Sequence, residues 1–322
     1  MVQQTSRVLI TGITGQDGGY LAERLATAGD EVHGIVRDGD DAAAELLGRV
    51  PSAILHDGDI SDTSGIAGLL HEIEPAQIYH LAGISSVAQS WEQPLATARV
   101  TGLAVAGLLD TAWELGQDGH PVHFVQASSA EMFGNPSTAP QNEATAIAPV
   151  SPYGAAKAYA HHLVGVYRAR GLHASSLILY NHESPRRPPT FVTRKITSAA
   201  ARIAAGSTET LTLGNLDARR DWGWAPDYVN AMVLAARHEL PCDYVIATGV
   251  SHSVREFVAA AFAAAGVADW QTHVTTDPAF LRPVDAVELT GDAGKARHVL
   301  GWAPTVPFEE IVSRMVHADL DA

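Results

Sequence analysis

The stretch Thr11-Gly-Ile-Thr-Gly-Gln-Asp-Gly18, directly behind the apolar run Val8-Leu9-Ile10, decides the fold. Its glycines, Gly12, Gly15 and Gly18, are spaced GxxGxxG. That spacing lets a chain turn tightly out of a strand, lets backbone N–H groups approach phosphate, and lets a helix pack close to the strand. The pattern acquires meaning only between a strand and a helix. Both are present. Tyr20-Leu-Ala-Glu-Arg-Leu-Ala26 continues with apolar residues at helical spacing, and Glu31-Val-His-Gly-Ile-Val36 reads as a second strand. The loop is therefore where a dinucleotide pyrophosphate would sit.

Further along, short apolar runs near 7–11, 31–36, 53–56, 77–82, 122–128, 174–180 and 243–247 alternate with helical patterns. Such alternation predicts an α/β fold, a doubly wound parallel sheet of Rossmann type with helices on both faces. Residues 1–180 are expected to form the NAD(P)-binding domain, with 243–250 returning to complete its sheet. Residues 181–322 carry loops rich in Pro, Arg, Asp and Trp, such as Ser184-Pro-Arg-Arg-Pro-Pro189, and are expected to form a smaller, discontinuous C-terminal substrate-binding lobe.

A second signal is Tyr153-Gly-Ala-Ala-Lys157, which puts a phenol and an ammonium one helical turn apart on the same face. A nearby cation favours phenolate, so Tyr153 is expected to take a proton from a sugar hydroxyl while hydride leaves the same carbon for a nicotinamide. Ser128 and Ser129 end the intervening strand Val122-His-Phe-Val-Gln-Ala127.

Composition restricts the function classes. The chain has 322 residues, 46% apolar and 18% charged, enough to bury a large core. Its net charge of −15 argues against nucleic acid as a partner, though not against a nucleotide sugar, whose pyrophosphate is held by local donors. No run of about eighteen uninterrupted apolar residues is present, and the first residues lack the apolar run of a signal peptide, so no membrane partner and a cytoplasmic protein are expected. The single cysteine, Cys242, cannot form an internal disulfide and reads as structural filling. No metal-ligand spacing of His, Cys or acid is seen.

The segments quoted so far, with Gln126-Ala-Ser-Ser-Ala-Glu-Met-Phe-Gly134, Tyr180-Asn-His-Glu-Ser-Pro-Arg-Arg187, Phe191-Val-Thr-Arg-Lys-Ile196, Leu213-Gly-Asn-Leu-Asp-Ala-Arg-Arg-Asp-Trp-Gly223 and Val245-Ile-Ala-Thr-Gly249, resemble the extended short-chain dehydrogenase/reductase superfamily. Within it, they are most similar to the GDP-mannose 4,6-dehydratase family, and the resemblance runs over nearly the whole chain. It implies a GDP-hexose 4,6-dehydratase, a lyase that oxidises C4, removes the C5 proton, expels water from C6 and returns the hydride to C6. By the same resemblance Tyr153 is the C4 base, Lys157 depresses its pKa and holds the nicotinamide ribose, Ser129 bonds the C4 oxygen, and Glu131 is the C5 base and C6 acid.

Cofactor contacts are implied for Gly12, Thr14, Gly15, Gln16, Asp17, Gly18, Asp59, Ile60, Leu81 and Ala82. Arg37 ends the second strand, where a guanidinium pairs with the 2′-phosphate of NADP and a carboxylate binds the free ribose of NAD. NADP is expected; NAD stays open because Asp38 stands where the family has a second arginine. Substrate contacts are implied for Ser85, Asn181, Val192, Lys195, Arg220, Arg282 and Asp285. Arg186, Arg187 and Arg194 read as lobe-orienting residues. Two helical stretches, 95–116 and 152–170, correspond to those the family packs across a twofold axis, so a homodimer is expected. The shortened loop after Arg37 leaves a tetramer open.

Two departures bear on the chemistry. Ala130 replaces the family's serine or aspartate, a change that would leave Glu131 to move protons alone and that keeps a GDP-sugar epimerase, stopping at the C4 ketone, as an alternative. His80, Gly83, Ile84 and Ser86 also differ from the family pattern, with His80 replacing asparagine. A GDP-4-keto-6-deoxysugar reductase and a silent nucleotide-sugar binder are the remaining readings.

Overall fold

The computed structural model describes residues 6–280, 284 and 286–322. In chain order its strands are β1 (Arg7–Thr11), β2 (Glu31–Val36), β3 (Ile54–Asp57), β4 (Gln77–His80), β5 (His123–Ser129), β6 (His173–Leu179), β7 (Asn181–Glu183), β8 (Leu211–Leu213), β9 (Arg219–Trp224), β10 (Asp243–Ile246), β11 (Ser251–Ser253), β12 (Val274–Thr276) and β13 (Glu288–Leu289). The main sheet runs β10-β6-β5-β4-β1-β2-β3, with every neighbouring pair parallel. This is a Rossmann-type sheet, extended at one edge by the returning β10.

Its near-continuous apolar strands follow from burial on both faces. Along β1, Val8 and Ile10 join the core under the helices Gln16–Thr27 and Ala225–Arg237, whereas Leu9 joins the core under Thr63–Ile73 and Ala104–Gln117. Tyr79 and Ile78 divide the same way on β4, as do Val125 and Phe124 on β5. Successive side chains point to opposite faces, and each face is covered.

The helical run Pro94–Gln117 has the length and composition of a membrane span, yet half of its most apolar window is buried inside the protein. Its Gly102 packs against Ala156 of the helix Pro152–Ala169, where an added Cβ would lie 3.4 Å from that methyl. Ala104, Val105, Leu108 and Leu109 are buried within the chain itself. The apolar residues these two helices leave exposed are others: Leu95, Leu103, Tyr159 and Val166.

The smaller lobe has its own core, in which Ile196, Trp222, Phe257, Phe262, Ile311 and Met315 pack together. Arg194, on the helix Val192–Ala204, is ion-paired with Asp319 on the helix Phe308–Leu320, which ties two lobe helices together.

Candidate active site

The strand order reverses between β1 and β4, and the crevice at that reversal, beyond the C-terminal strand ends, is where such sheets bind ligands. The chain leaves β1 through Gly12 at φ +72°, where an added Cβ would lie 2.9 Å from the Ala82 amide nitrogen. A Cβ at Gly18 would lie 2.2 Å from the Gly12 carbonyl oxygen. Neither position admits a side chain. Gly15 caps the following helix in an extended conformation with no side-chain bond to its first amides, so these are left for an anion at the positive helix end. The cradle fits a dinucleotide pyrophosphate.

Thr11 fixes the floor beside the cradle. Its Oγ1 accepts N–H bonds from Leu81 and Ala82, both at 3.2 Å, and lies 2.8 Å from His80 Nδ1. Burial, with Lys157 adding, pushes His80 down to about 3, so the imidazole is neutral and its Nδ1 accepts a hydrogen bond from the Thr11 hydroxyl.

Ser129 ends β5, and its Oγ accepts from the Glu131 amide at 3.2 Å, turning the chain into the short helix Ala130–Phe133. The helix carrying Tyr153 starts against this turn, capped by Ser151, whose Oγ accepts from the Gly154 amide at 3.0 Å. A Cβ at Gly154 would lie 2.5 Å from the Glu131 carbonyl oxygen, so the glycine after Tyr153 permits the approach. The Ser129 hydroxyl reaches the Tyr153 phenol, and Lys157 Nζ donates to the Ala127 carbonyl at 2.6 Å. Ser129, Glu131, Tyr153 and Lys157 are thus gathered at one strand end.

The expected depression of the phenol by Lys157 is not what this arrangement produces. Burial pushes Tyr153 up to about 12; the Ser129 hydrogen bond and Arg187 oppose this, while Glu131 and Asp17 add to it. Lys157 Nζ lies 5.8 Å from the ring centroid and bonds the Ala127 carbonyl instead. Burial also pushes Lys157 down to about 8, against the pull of Asp17. The methyl of Ala130 is buried in an apolar cluster with Met132, Phe133, Ala158, Ile178 and Tyr180, directly before Glu131.

Around the adenosine end, Arg37 is exposed just past β2. Asp59 is a turn residue here: its Oδ1 accepts from the Ser61 amide at 2.8 Å and from the Ser61 hydroxyl at 2.7 Å, and these bonds, with a smaller pull from Arg37, hold it below its ordinary pKa. Ile60 is buried behind it. Thr14 Oγ1 donates to Asp40 Oδ2 at 2.8 Å, which ties the cradle to the loop after β2.

In the lobe, Asn181 on β7 pairs in register with Trp222 on β9, two residues beyond Arg220. Arg220 is buried, and its Nη1 donates to the carbonyls of Arg219 and Ala286 at 2.8 and 3.0 Å. Val192 and Lys195 are exposed on the first turn of the helix Val192–Ala204, and Ser85 is exposed ahead of the helix Val87–Glu92. Arg282 and Asp285 lie outside the described residues.

This site architecture has relatives. The model of the GDP-mannose 4,6 dehydratase family matches residues 9–315. The chain belongs to that family. It is 44% identical to GDP-mannose 4,6 dehydratase 1 of Arabidopsis thaliana, covering 100% of this chain and 91% of that one. It is also 44% identical to the Homo sapiens GDP-mannose 4,6 dehydratase, covering 97% and 91%. Among solved structures it is similar to the UDP-glucose 4-epimerase of Thermus thermophilus in complex with NAD, with TM-score 0.84, 28% identity and coverage of 97% and 98%. The fold is shared with RMD from Pseudomonas aeruginosa complexed with NADPH, with TM-score 0.81, 21% identity and coverage of 99% and 100%. A nicotinamide dinucleotide is the cofactor class of this family member.

Four side chains that motif reading left unassigned converge on the site. Asp17 Oδ2 lies 2.7 Å from His182 Nε2, and Ser184 Oγ donates to Gln16 Oε1 at 2.8 Å. Glu183 Oε2 accepts from Thr193 at 2.6 Å and faces Arg187, whose guanidinium stacks 3.8 Å from the Phe191 ring centroid. Arg187, read as lobe-orienting, also acts electrostatically on Tyr153. Their one sequence signal was a dense polar motif directly behind a buried strand.

Proposed function

We propose that the protein is a GDP-mannose 4,6-dehydratase that works with tightly held NADP. The observation that carries the reading is the meeting of Ser129, Glu131 and Tyr153 at the end of β5, beside a glycine cradle in a chain of this family. Ser129 holds the C4 oxygen and Tyr153, once ionised to its phenolate, takes the C4 hydroxyl proton. Lys157 holds the nicotinamide ribose. When bound there, a nicotinamide dinucleotide would supply the hydride acceptor for C4 and the hydride donor for C6.

The C4 ketone acidifies C5, whose proton Glu131 takes. Glu131 then gives a proton to the departing C6 hydroxyl, which leaves as water. The proton that Tyr153 took at C4 is passed on to C5 as the hydride reaches C6, so Tyr153, Glu131 and the cofactor end as they began. Asn181 and Arg220 are assigned to the diphosphate and Val192 and Lys195 to the base, with charge-assisted bonds supplying most of the orientation.

NADP is supported by Arg37 at the end of β2; NAD is supported by Asp38 and by Asp40, which places a carboxylate against Thr14 of the cradle. Comparing retention of the two dinucleotides decides between them, and Arg37→Ala should weaken NADP selectively. A homodimer is supported by the exposed Leu95, Leu103, Tyr159 and Val166 on adjoining helices. Sedimentation of Leu103→Glu/Val166→Glu as a monomer is the expected result.

The central test is mass spectrometry of GDP-mannose incubated with the protein and NADP. Loss of one water, abolished by Glu131→Gln, is expected. Unchanged mass with uptake of solvent deuterium would establish the epimerase instead.

A further inference from the structure

The single cysteine, which the sequence offers as structural filling, has a nucleophilic partner in the folded chain. Cys242 stands directly ahead of β10, the edge strand of the main sheet, and Lys295 lies in the first turn of the helix Gly294–Leu300. The two are 53 residues apart in sequence, yet Lys295 Nζ donates to Cys242 Sγ at 2.6 Å. The ammonium also faces Tyr244, with Nζ 5.2 Å from the ring centroid, which holds it over the start of the strand. On the cysteine side the backbone is fixed. The Cys242 amide donates to Ser175 Oγ at 3.2 Å, and the Cys242 carbonyl accepts from the Ser176 amide at 3.2 Å. Both side chains are partly exposed, so a small solute reaches them without unfolding.

The pairing is specific to these two residues. The chain has one cysteine, and its lysines are Lys157, Lys195 and Lys295. Lys157 bonds the Ala127 carbonyl in the active site, and Lys195 lies 5.9 Å from the ring centroid of Phe280 in the lobe. Reacting atoms held about 3–3.5 Å apart are already poised for attack. Sulfur and nitrogen are closer than that here, and neither residue belongs to the catalytic or binding groups described above.

We propose that Cys242 and Lys295 form a peroxide-responsive modification site, in which oxidation of the thiol leads to a covalent sulfur–nitrogen cross-link between the start of β10 and the helix Gly294–Leu300. Hydrogen peroxide is the oxidant. In the first step the sulfur attacks one peroxide oxygen, an S–O bond forms, the O–O bond breaks, and the other oxygen leaves with the thiol proton as water. Sulfur is oxidised by two electrons to the sulfenic acid, and the peroxide is reduced. In the second step the unprotonated Nζ attacks that sulfur, an S–N bond forms, the S–O bond breaks, and the hydroxyl leaves with an amine proton as a second water. This condensation to a sulfenamide needs no further oxidant. The cross-link closes a loop that carries β11, β12 and β13, and so ties these segments of the lobe to the edge of the main sheet. Like a disulfide, it restricts the unfolded chain and stabilises the folded one.

The experiment treats the full chain with a small excess of hydrogen peroxide at mildly alkaline pH, digests it without reduction, and reads the peptides by mass spectrometry. A Cys242 peptide joined to a Lys295 peptide is expected, about 2 mass units below the sum of the two, and dithiothreitol should separate them. The joined species should be absent from Cys242→Ser and from Lys295→Arg. Treated wild type should unfold at a temperature about 5 °C higher than untreated protein, and neither variant should show that shift. Sulfinic or sulfonic acid at Cys242 without a joined peptide would overturn the proposal. So would a joined species about 14 mass units above the sum, in which an oxygen is retained, or one that persists in Lys295→Arg. Should either variant fold poorly, the wild-type spectrum decides by itself.

Discussion

Two neighbouring regions of this protein bury ionisable groups to similar depth and treat them in opposite ways. At the end of β5, burial pushes Tyr153 up to about 12, Lys157 down to about 8 and His80 down to about 3, each toward its uncharged form. At the junction of cradle and lobe, Asp17 is lowered and His182 raised, each toward its charged form. The difference is the partner. Asp17 and His182 face each other at 2.7 Å, whereas Lys157 bonds the Ala127 carbonyl and His80 bonds the Thr11 hydroxyl. Desolvation without an opposite charge favours neutral groups that can exchange protons with a substrate; desolvation with one favours a fixed ion pair that holds geometry.

The largest break in this contrast is Tyr153→Phe, which removes the only proton acceptor assigned to the C4 hydroxyl. Turnover of GDP-mannose should fall by about 10³-fold with the fold retained by circular dichroism. Lys157→Met comes next, with a loss of about 10²-fold, because it deletes a cation that burial already weakens. In wild type the Lys157 charge is present below about pH 8 and fades above it, so turnover should decline on that alkaline side. A decline unchanged in Lys157→Arg would assign it to another group.

At the junction the effect should appear in stability. Asp17→Asn leaves His182 buried beside Arg187 without its counter-charge and should cost about 3 kcal/mol in urea unfolding at pH 6. The sign with pH follows from the two shifts. The raised His182 contributes fully below 6.5 and is lost as pH rises through its folded value, and the lowered Asp17 contributes above 3.8 and is lost as pH falls through its folded value. Wild type should therefore lose stability between pH 6 and 9, and Asp17→Asn should not. The smallest effect is expected for Ser129→Ala, about tenfold in turnover, because the hydroxyl orients the phenol without accepting the proton. Equal losses for Ser129→Ala and Tyr153→Phe would erase the distinction.

Much of the fold was legible in the chain because it depends on local geometry. Gly12 and Gly18 stand where backbone crowds any Cβ, and a strand buried on both faces reads as an apolar run. The spacing of Tyr153 and Lys157 announced one helix face for the same reason. Less legible was what each side chain meets. The methyl of Ala130 lies in an apolar cluster, and Ala104, Val105, Leu108 and Leu109 are buried within the chain. Asp17 and His182 are 165 residues apart, and no periodicity connects them.

By itself the sequence determined the order of strands and helices, the glycine cradle and the set of reactive groups, since these rest on steric rules acting over a few neighbouring residues. Only the tertiary structure decided which of those groups are neutral and which are charged. That choice is made by burial and by the partner across the contact, and both come from segments that meet only when the chain has folded.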